Sequence, residues 1–227
     1  MVISMQIAPL LRVGRGVTAL IGSGGKTTLL YTLAEELHGR SRVLVCTSTH
    51  IRRPDHLNVV TAQDADALRT ALDKHGVVCV GTPAEDGKLT APLLSFEELA
   101  ALADYVLVEA DGAKGLPLKA HASHEPVIPA GTQRVVLVVG ADGFGKPVTD
   151  ACHRPALYAE RAGISMDGIV TPKLAARVIA TEAYGDRVYI NKVESAEDYA
   201  AAEELARRLP CPVVAGSLQK GVYTCLR

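Results

Sequence analysis

Residues Gly22 to Thr28 read GSGGKTT and gather three glycines, a lysine and two threonine hydroxyls into one short stretch. Glycines let backbone N–H groups turn inward onto an anion, and a helix N-terminus just beyond them adds its positive end. The usual pattern G-x-x-x-x-G-K-[ST] needs a glycine five positions before Gly25, where Leu20 stands, so this is a compact G-x-x-G-K-T-T version. An apolar run, VTALI (17–21), feeds the glycines, and a helical pattern, TTLLYTLAEELHG, follows and ends at Gly39. A plain strand–turn–helix joint needs one glycine and has no use for Lys-Thr-Thr. The stretch therefore predicts a phosphate site. The amides of Gly22, Ser23, Gly24 and Gly25 would cradle phosphate oxygens, Lys26 would reach the β- and γ-phosphates, Thr27 would ligate Mg²⁺, and Thr28 would open the helix beside them.

Two distal segments carry compatible chemistry. YVLVEADGAKG (105–115) is an apolar run ending in acids, and ligands of open α/β sheets gather at that end of a strand. Either Glu109 or Asp111 can hold Mg²⁺ through a water. VYINKVES (188–195) contains Asn191-Lys192-Val193-Glu194, which resembles the N-K-x-D motif of GTPases, where the carboxylate grips the guanine edge. Glutamate replaces aspartate here, so ATP and GTP both stay open as the nucleotide. GSLQKG (216–221) would be the last loop near the base. The phosphate loop itself is similar to that of Mur ligases and folylpolyglutamate synthases, which bind ATP.

Three further segments admit two readings each. CTSTHIRRP (46–54) puts Thr47, Thr49 and His50 near the loop, with Arg52 or Arg53 able to approach developing negative charge; the alternative is a polar loop with solvated arginines. HASHEPVIP (121–129) offers His121, His124 and Glu125, but H-x-x-H-E is not a metalloprotease helix and Pro126 argues against helix, so a structural metal is the lesser reading. His153 and Arg154 stand at a predicted helix start, as a γ-phosphate sensor, a partner contact or a cap. His38, His56 and His75 sit at helix ends or in loops and need no function.

The elements that must position these residues are well marked. Near-continuous apolar runs at 17–21, 42–46, 77–80, 105–109, 134–139, 187–190 and 212–214 predict strands buried on both faces. Between them lie helix signals: Thr61 opening TAQDADALRTALDKHG with Asp64 third, a Ser95/Glu98 capping box, Pro172 at a first helical position after Thr171, and Ser195 opening a helix with Tyr199, Ala202, Ala206 and Leu209 on one face. Strands alternating with helices imply a doubly wound, mostly parallel sheet. GTPAEDGKLTAP (81–92) interrupts the rhythm as a small hairpin. No linker divides residues 1–227, which read as one domain.

Composition agrees and excludes some partners. With no tryptophan and two phenylalanines, the core must come from Val, Leu, Ile and Ala. Lysine plus arginine (24) balance aspartate plus glutamate (25), which gives no reason to expect nucleic acid or an anionic membrane. Five cysteines without a C-x-x-C pair behave as small hydrophobes and fit a reducing cytoplasm. The N-terminal MVISMQIAPLLRVGRG reads as neither signal peptide nor membrane anchor.

Taken together, GSGGKTT, TSTHI, VEADGAKGLPLKAH, HEPVIP, VVGADGFGKP, HRP and NKVE occur in an order that resembles the YqeC family, accessory proteins of selenium-dependent molybdenum hydroxylases. The resemblance runs from about residue 15 to 220. It implies a P-loop NTPase-like, three-layer α/β fold, with the phosphate loop on Gly22 to Thr28, the acidic strand end on Glu109 and Asp111, and the base-side motif on Asn191 to Glu194. The implied activity is a slow Mg²⁺-dependent NTPase that matures a molybdenum hydroxylase, in contact with that enzyme or its cofactor-maturation proteins and sped by a partner or by homodimerisation. The alternatives are an ATP-dependent ligase or transferase, and a non-hydrolysing carrier of a phosphorylated molybdopterin-type cofactor.

Overall fold

The structure, a computed structural model, describes residues 6–39, 41–61 and 64–227. Among them nine strands form one sheet: β1 Gly16–Gly22, β2 Val43–Thr47, β3 Asn58–Val60, β4 Val77–Val80, β5 Tyr105–Glu109, β6 Arg134–Gly140, β7 Arg187–Asn191, β8 Val213–Ser217 and β9 Val222–Cys225. Their order across the sheet is β9-β8-β7-β6-β1-β5-β2-β4-β3. All neighbours run parallel except β9, which returns antiparallel on β8. β1 is therefore central, with β5 on one side and β6 on the other.

Side chains alternate across this sheet and meet helices on both faces. Leu20, Val136, Val138 and Leu107 face one way, against Leu29, Leu30 and Leu33 of α1 (Lys26–His38) and Ile7 and Leu11. Val17, Leu44, Cys46, Val106 and Val108 face the other way, against α2 (Ala65–His75) and α3 (Phe96–Leu102). On that same face Ala19, Ile21, Leu137, Val139 and Ile190 pack under α4 (Pro155–Ala162), α5 (Pro172–Glu182) and α6 (Ala196–Arg208). The result is a three-layer α/β fold with a mostly parallel, doubly wound sheet. No helix among the described residues is long and apolar enough to cross a membrane.

The predicted strands all form, and so do the Ser95/Glu98 capping box, the Thr171 cap before Pro172 and a second box between Ser195 and Asp198. The helix expected from Thr61 begins later. Asp64 is extended and its carboxylate accepts the Ala67 N–H at 2.7 Å, so it caps α2 instead of lying inside it. Residues 62 and 63 lie outside the described residues. Tyr199 is 41% exposed, and α6 buries Ala202, Leu205 and Ala206 instead, with Leu209 just beyond. The expected hairpin turns at Glu85–Gly87 and joins a third strand, His50–Arg52, in a small antiparallel sheet. The five cysteines are free, and burial pushes the Cys79 and Cys152 thiols up to about 12, as suits inert core residues.

The relocated cap is testable. Asp64→Ala should cost about 1 kcal/mol of unfolding free energy in urea, whereas Thr61→Ala should fall within about 0.5 kcal/mol of wild type. Reversed magnitudes would return the helix start to Thr61.

Candidate functional site

β1 ends in Gly22 at the centre of the sheet, and the chain turns through Ser23 and Gly24 to Gly25, which caps α1. Gly22, Gly24 and Gly25 have φ of +90°, +85° and +129°, so each occupies the region that favours glycine. Space forbids a side chain as well. A Cβ would lie 2.4 Å from the Val138 carbonyl at Gly22, 2.3 Å from the Gly140 nitrogen at Gly24 and 2.4 Å from Asn191 Nδ2 at Gly25. The early amides of the loop are engaged internally. Gly22 donates to Asp111 at 2.8 Å, Ser23 to the Val138 carbonyl at 2.9 Å and Gly24 to the Leu116 carbonyl at 3.1 Å. What this turn offers an anion is thus the first turn of α1, whose N–H groups have no partner within the helix.

Lys26, 3% exposed, sits at that turn. Its ammonium donates to the Gly22 carbonyl at 2.7 Å, pairs with Asp111 Oδ1 at 2.9 Å and stands 3.8 Å from Glu109 Oε1. Thr27 donates its hydroxyl to Glu109 Oε2 at 2.7 Å. Asp111 is fully buried, and its other oxygen also takes His121 Nε2 at 2.7 Å, with Lys119 Nζ 3.3 Å away. Burial alone would push Asp111 up; the His121 hydrogen bond and the Lys26 and Lys119 charges outweigh it and hold the carboxyl at about 2.

The network continues beyond the residues that sequence singled out. His121 Nδ1 meets Glu182 Oε2 at 2.5 Å, the His121 backbone N–H donates to Glu182 Oε1 at 2.8 Å, and Arg161 pairs with the same glutamate. Lys119 bridges Asp111 to Glu125 Oε2 at 2.8 Å, and Arg154 Nη1 meets that oxygen at 2.5 Å. Burial would lower His121, but hydrogen bonds to Asp111 and Glu182 more than reverse it, and the ring is raised above the ordinary histidine value. Both ring nitrogens of His121 are taken up by carboxylates, Asp111 on one side and Glu182 on the other, which favours the protonated ring. Lys119, Glu182 and Arg161 were not foreseen. One signal was present: Glu182 is an acid at the last position of a helix, where the dipole disfavours it unless a cation answers.

Among the expected metal donors, Asp111 is surrounded by cations, whereas the Glu109 carboxylate and the half-buried Thr27 hydroxyl form an oxygen pair at the head of α1. Burial raises Glu109 above the ordinary glutamate value, with Lys26 and Thr27 opposing. No cluster of three or more His, Cys, Asp or Glu among the described residues is arranged for a metal. A hydroxyl and one carboxylate suit Mg²⁺, which keeps waters and takes its remaining ligands from phosphates.

On the far side of β6, Asn191 is 5% exposed; its Nδ2 donates to the Gly24 carbonyl at 2.9 Å and its Oδ1 accepts the Leu218 N–H at 3.3 Å. Lys192 has φ +61° and pairs with Asp142 at 2.8 Å. Glu194 accepts the Ser217 hydroxyl at 2.7 Å, with Lys220 3.5 Å from its other oxygen. A hollow of about 390 Å³ lies between Gly25 and Thr28 on one side and Lys192, Glu194 and Leu218 on the other. On the opposite flank, Thr47 donates to the Glu109 carbonyl at 2.7 Å, and Thr49 donates its N–H to the Thr47 hydroxyl at 3.0 Å. His50 is exposed on the small sheet. His153 pairs in register with Lys119, and Arg154 caps α4 with φ +61°.

The sequence pattern that defines the YqeC protein family matches residues 18–156. The chain belongs to the YqeC family. A relative from Escherichia coli (strain K12), named only as the uncharacterized protein YqeC, is 37% identical over 161 residues, which cover 66% of this chain and 62% of that protein. The chain thus spans less than two thirds of that relative's length. The YqeC family match includes the loop, Glu109, Asp111, Lys119, His121, Glu125 and Arg154, and stops before Glu182 and Asn191.

The raised His121 value has a signed consequence for stability. A raised folded value means that stabilisation is fully present below the unfolded histidine value, about 6.5, and is lost as pH rises through the folded one. Asp111 acts oppositely: its contribution is present above about 3.9 and is lost as pH falls toward about 2. Wild type should lose unfolding free energy as pH rises above about 6.5, with a slope from this one proton of at most about 1.4 kcal/mol per pH unit, and His121→Gln should flatten that slope. Identical slopes in both proteins would remove the proton from His121.

Proposed function

We propose that this YqeC protein is a Mg²⁺-dependent nucleoside-triphosphate-binding protein that hydrolyses its nucleotide slowly. On this reading it acts in the cytoplasm as an accessory or maturation factor for a selenium-dependent molybdenum hydroxylase. What supports the reading most is the grouping of Lys26, Thr27 and Glu109 at the head of α1, beside a hollow of about 390 Å³ lined by Asn191 and Glu194.

The residues divide the task by their chemistry. The first-turn amides of α1 receive phosphate oxygens. Lys26 turns from Asp111 to the phosphates, while Lys119 and His121 stay on Asp111 so that its buried charge remains answered. Thr27 and Glu109 hold Mg²⁺, which supplies charge neutralisation on the β- and γ-oxygens. Arg154, held on Glu125 at 2.5 Å and partly exposed, would answer charge that develops on the γ-phosphate. Thr49 and His50 flank the same strand ends as switch residues. No glutamine is positioned to orient an attacking water among the residues described above, so turnover by the isolated chain is slow. A client molybdenum hydroxylase, its cofactor-maturation proteins or a second copy of the chain would accelerate it.

The test is Mg²⁺-dependent binding and hydrolysis of ATP and GTP by wild type, Lys26→Ala and Thr27→Val. Lys26→Ala should weaken binding by roughly 10- to 100-fold, the scale of one lost charge-assisted hydrogen bond. Because that variant also strips a cation from Asp111, Thr27→Val serves as control: it leaves the buried ion pairs alone and should weaken the dependence on Mg²⁺. Phosphate release insensitive to both changes would sink the proposal. Release that required an added acceptor would move the protein to the ligase or transferase class, and retention of a pterin phosphate without nucleotide affinity would make it a carrier.

A further inference from the structure

We propose that Glu194 makes the hollow beside α1 selective for guanine, so that the nucleotide is GTP. This rests on the nucleotide reading of the same site and assigns the base that the hollow takes.

The hollow is placed for a base. β6 lies between β1 and β7, so the segment after β7 stands two strand spacings, about 10 Å, from the segment after β1. Gly25 and Thr28 line the hollow at its phosphate end, and Lys192, Glu194 and Leu218 line the other. Leu218 and the aliphatic stem of Lys192 supply apolar wall for a ring, the Lys192 ammonium being tethered to Asp142 at 2.8 Å.

Of the polar groups along that wall, most are already committed. Asn191 donates its amide N–H to the Gly24 carbonyl, and its Oδ1 accepts the Leu218 N–H and, at 3.2 Å, the Tyr189 hydroxyl. Asp142 faces Lys192 through Oδ2. Asp198 accepts the Glu194 and Ser195 backbone N–H groups at 3.1 and 3.0 Å as part of the α6 cap. Glu194 differs. Ser217 holds one oxygen at 2.7 Å and Lys220 stands 3.5 Å from the other, and each carboxylate oxygen keeps a further lone pair for a ligand. The Ser217 hydrogen bond and the Lys220 charge keep the group ionised, so it presents acceptors and no donor.

Among the four bases only guanine meets such a group with two adjacent donors, N1–H and the 2-amino group. Adenine and cytosine each present a single amino donor beside a ring-nitrogen acceptor, and uracil a single donor between two carbonyls. The mismatched bases place lone pair against carboxylate, and a site built around a hydrogen bond rejects analogues that lack it more strongly than an apolar pocket rejects a change of size.

The experiment compares the Mg²⁺-dependent affinities of GTP, inosine triphosphate, ATP and inorganic triphosphate for wild type, Glu194→Gln and Ser217→Ala. Inosine triphosphate lacks only the 2-amino donor. Wild type should bind GTP about tenfold or more tighter than inosine triphosphate, and should bind ATP more weakly still. Glu194→Gln should erase the preference for GTP over inosine triphosphate while leaving inorganic triphosphate unchanged, and Ser217→Ala should fall between. Glu194 lies on the surface, so its substitution should leave the fold unaffected, and for the buried Ser217 the unchanged affinity for inorganic triphosphate is the check that the fold holds. ATP binding as tight as GTP, with triphosphate binding intact, would overturn the guanine assignment and leave the nucleotide site standing. Failure of every triphosphate to bind would overturn both.

Discussion

A fully buried carboxylate held by two lysines and a histidine organises this site. Asp111 lies between Lys26, Lys119 and His121 and also accepts the Gly22 N–H that starts the glycine turn. A lone ionised carboxylate in that position would be costly by several kcal/mol, so the surrounding sequence must supply positive charge from several directions. It does so from α1, from the segment after β5 and, through Glu182 and Arg161, from α5 and α4. The path of the chain around the β1 and β5 tips follows from that requirement as much as from apolar packing.

Redundancy of charge gives the lysine freedom. Removing one partner of an isolated buried pair typically costs 3–5 kcal/mol, which would lock Lys26 in place. Here Lys119 and His121 also sit on Asp111, so the carboxylate does not depend on Lys26 alone. The same arrangement explains the division between the two strand-end acids. Asp111, held at about 2, is a permanent counter-ion, whereas Glu109, hydrogen-bonded to Thr27, is the acid that an oxygen-seeking cation can recruit.

How much of this could be read from the chain depends on how local each signal is. The buried parallel strands announce themselves as apolar runs because both their faces are covered. The three-residue β3 and the partly exposed β9 carry no such signature and went unseen. The α2 start was misplaced because both Thr61 and Asp64 can cap a helix, and only backbone geometry decides between them. In the site, GSGGKTT and the acids of β5 stand out because their residue types cluster within a few positions. Lys119, Glu182 and Arg161 do not: His121 and Glu182 are 61 residues apart, and an ion pair at that separation leaves no pattern in either stretch.

The phosphate and base sides are also joined mechanically. Asn191 links the Gly24 carbonyl to the Leu218 N–H, and a Cβ at Gly25 would stand 2.4 Å from the Asn191 amide, so the glycine turn and the last loop are held at a fixed spacing. A side chain buried in this strut cannot also read a base edge, whatever its place in a nucleotide-binding motif. On the proposed reading, base recognition would fall to Glu194, which lines the hollow. Glu194 lies three positions along, where Ser217 draws back its longer side chain by a hydrogen bond from the loop that Asn191 anchors. That tether comes from the same side of the hollow, beside Leu218, and it keeps a carboxylate acceptor on the lining.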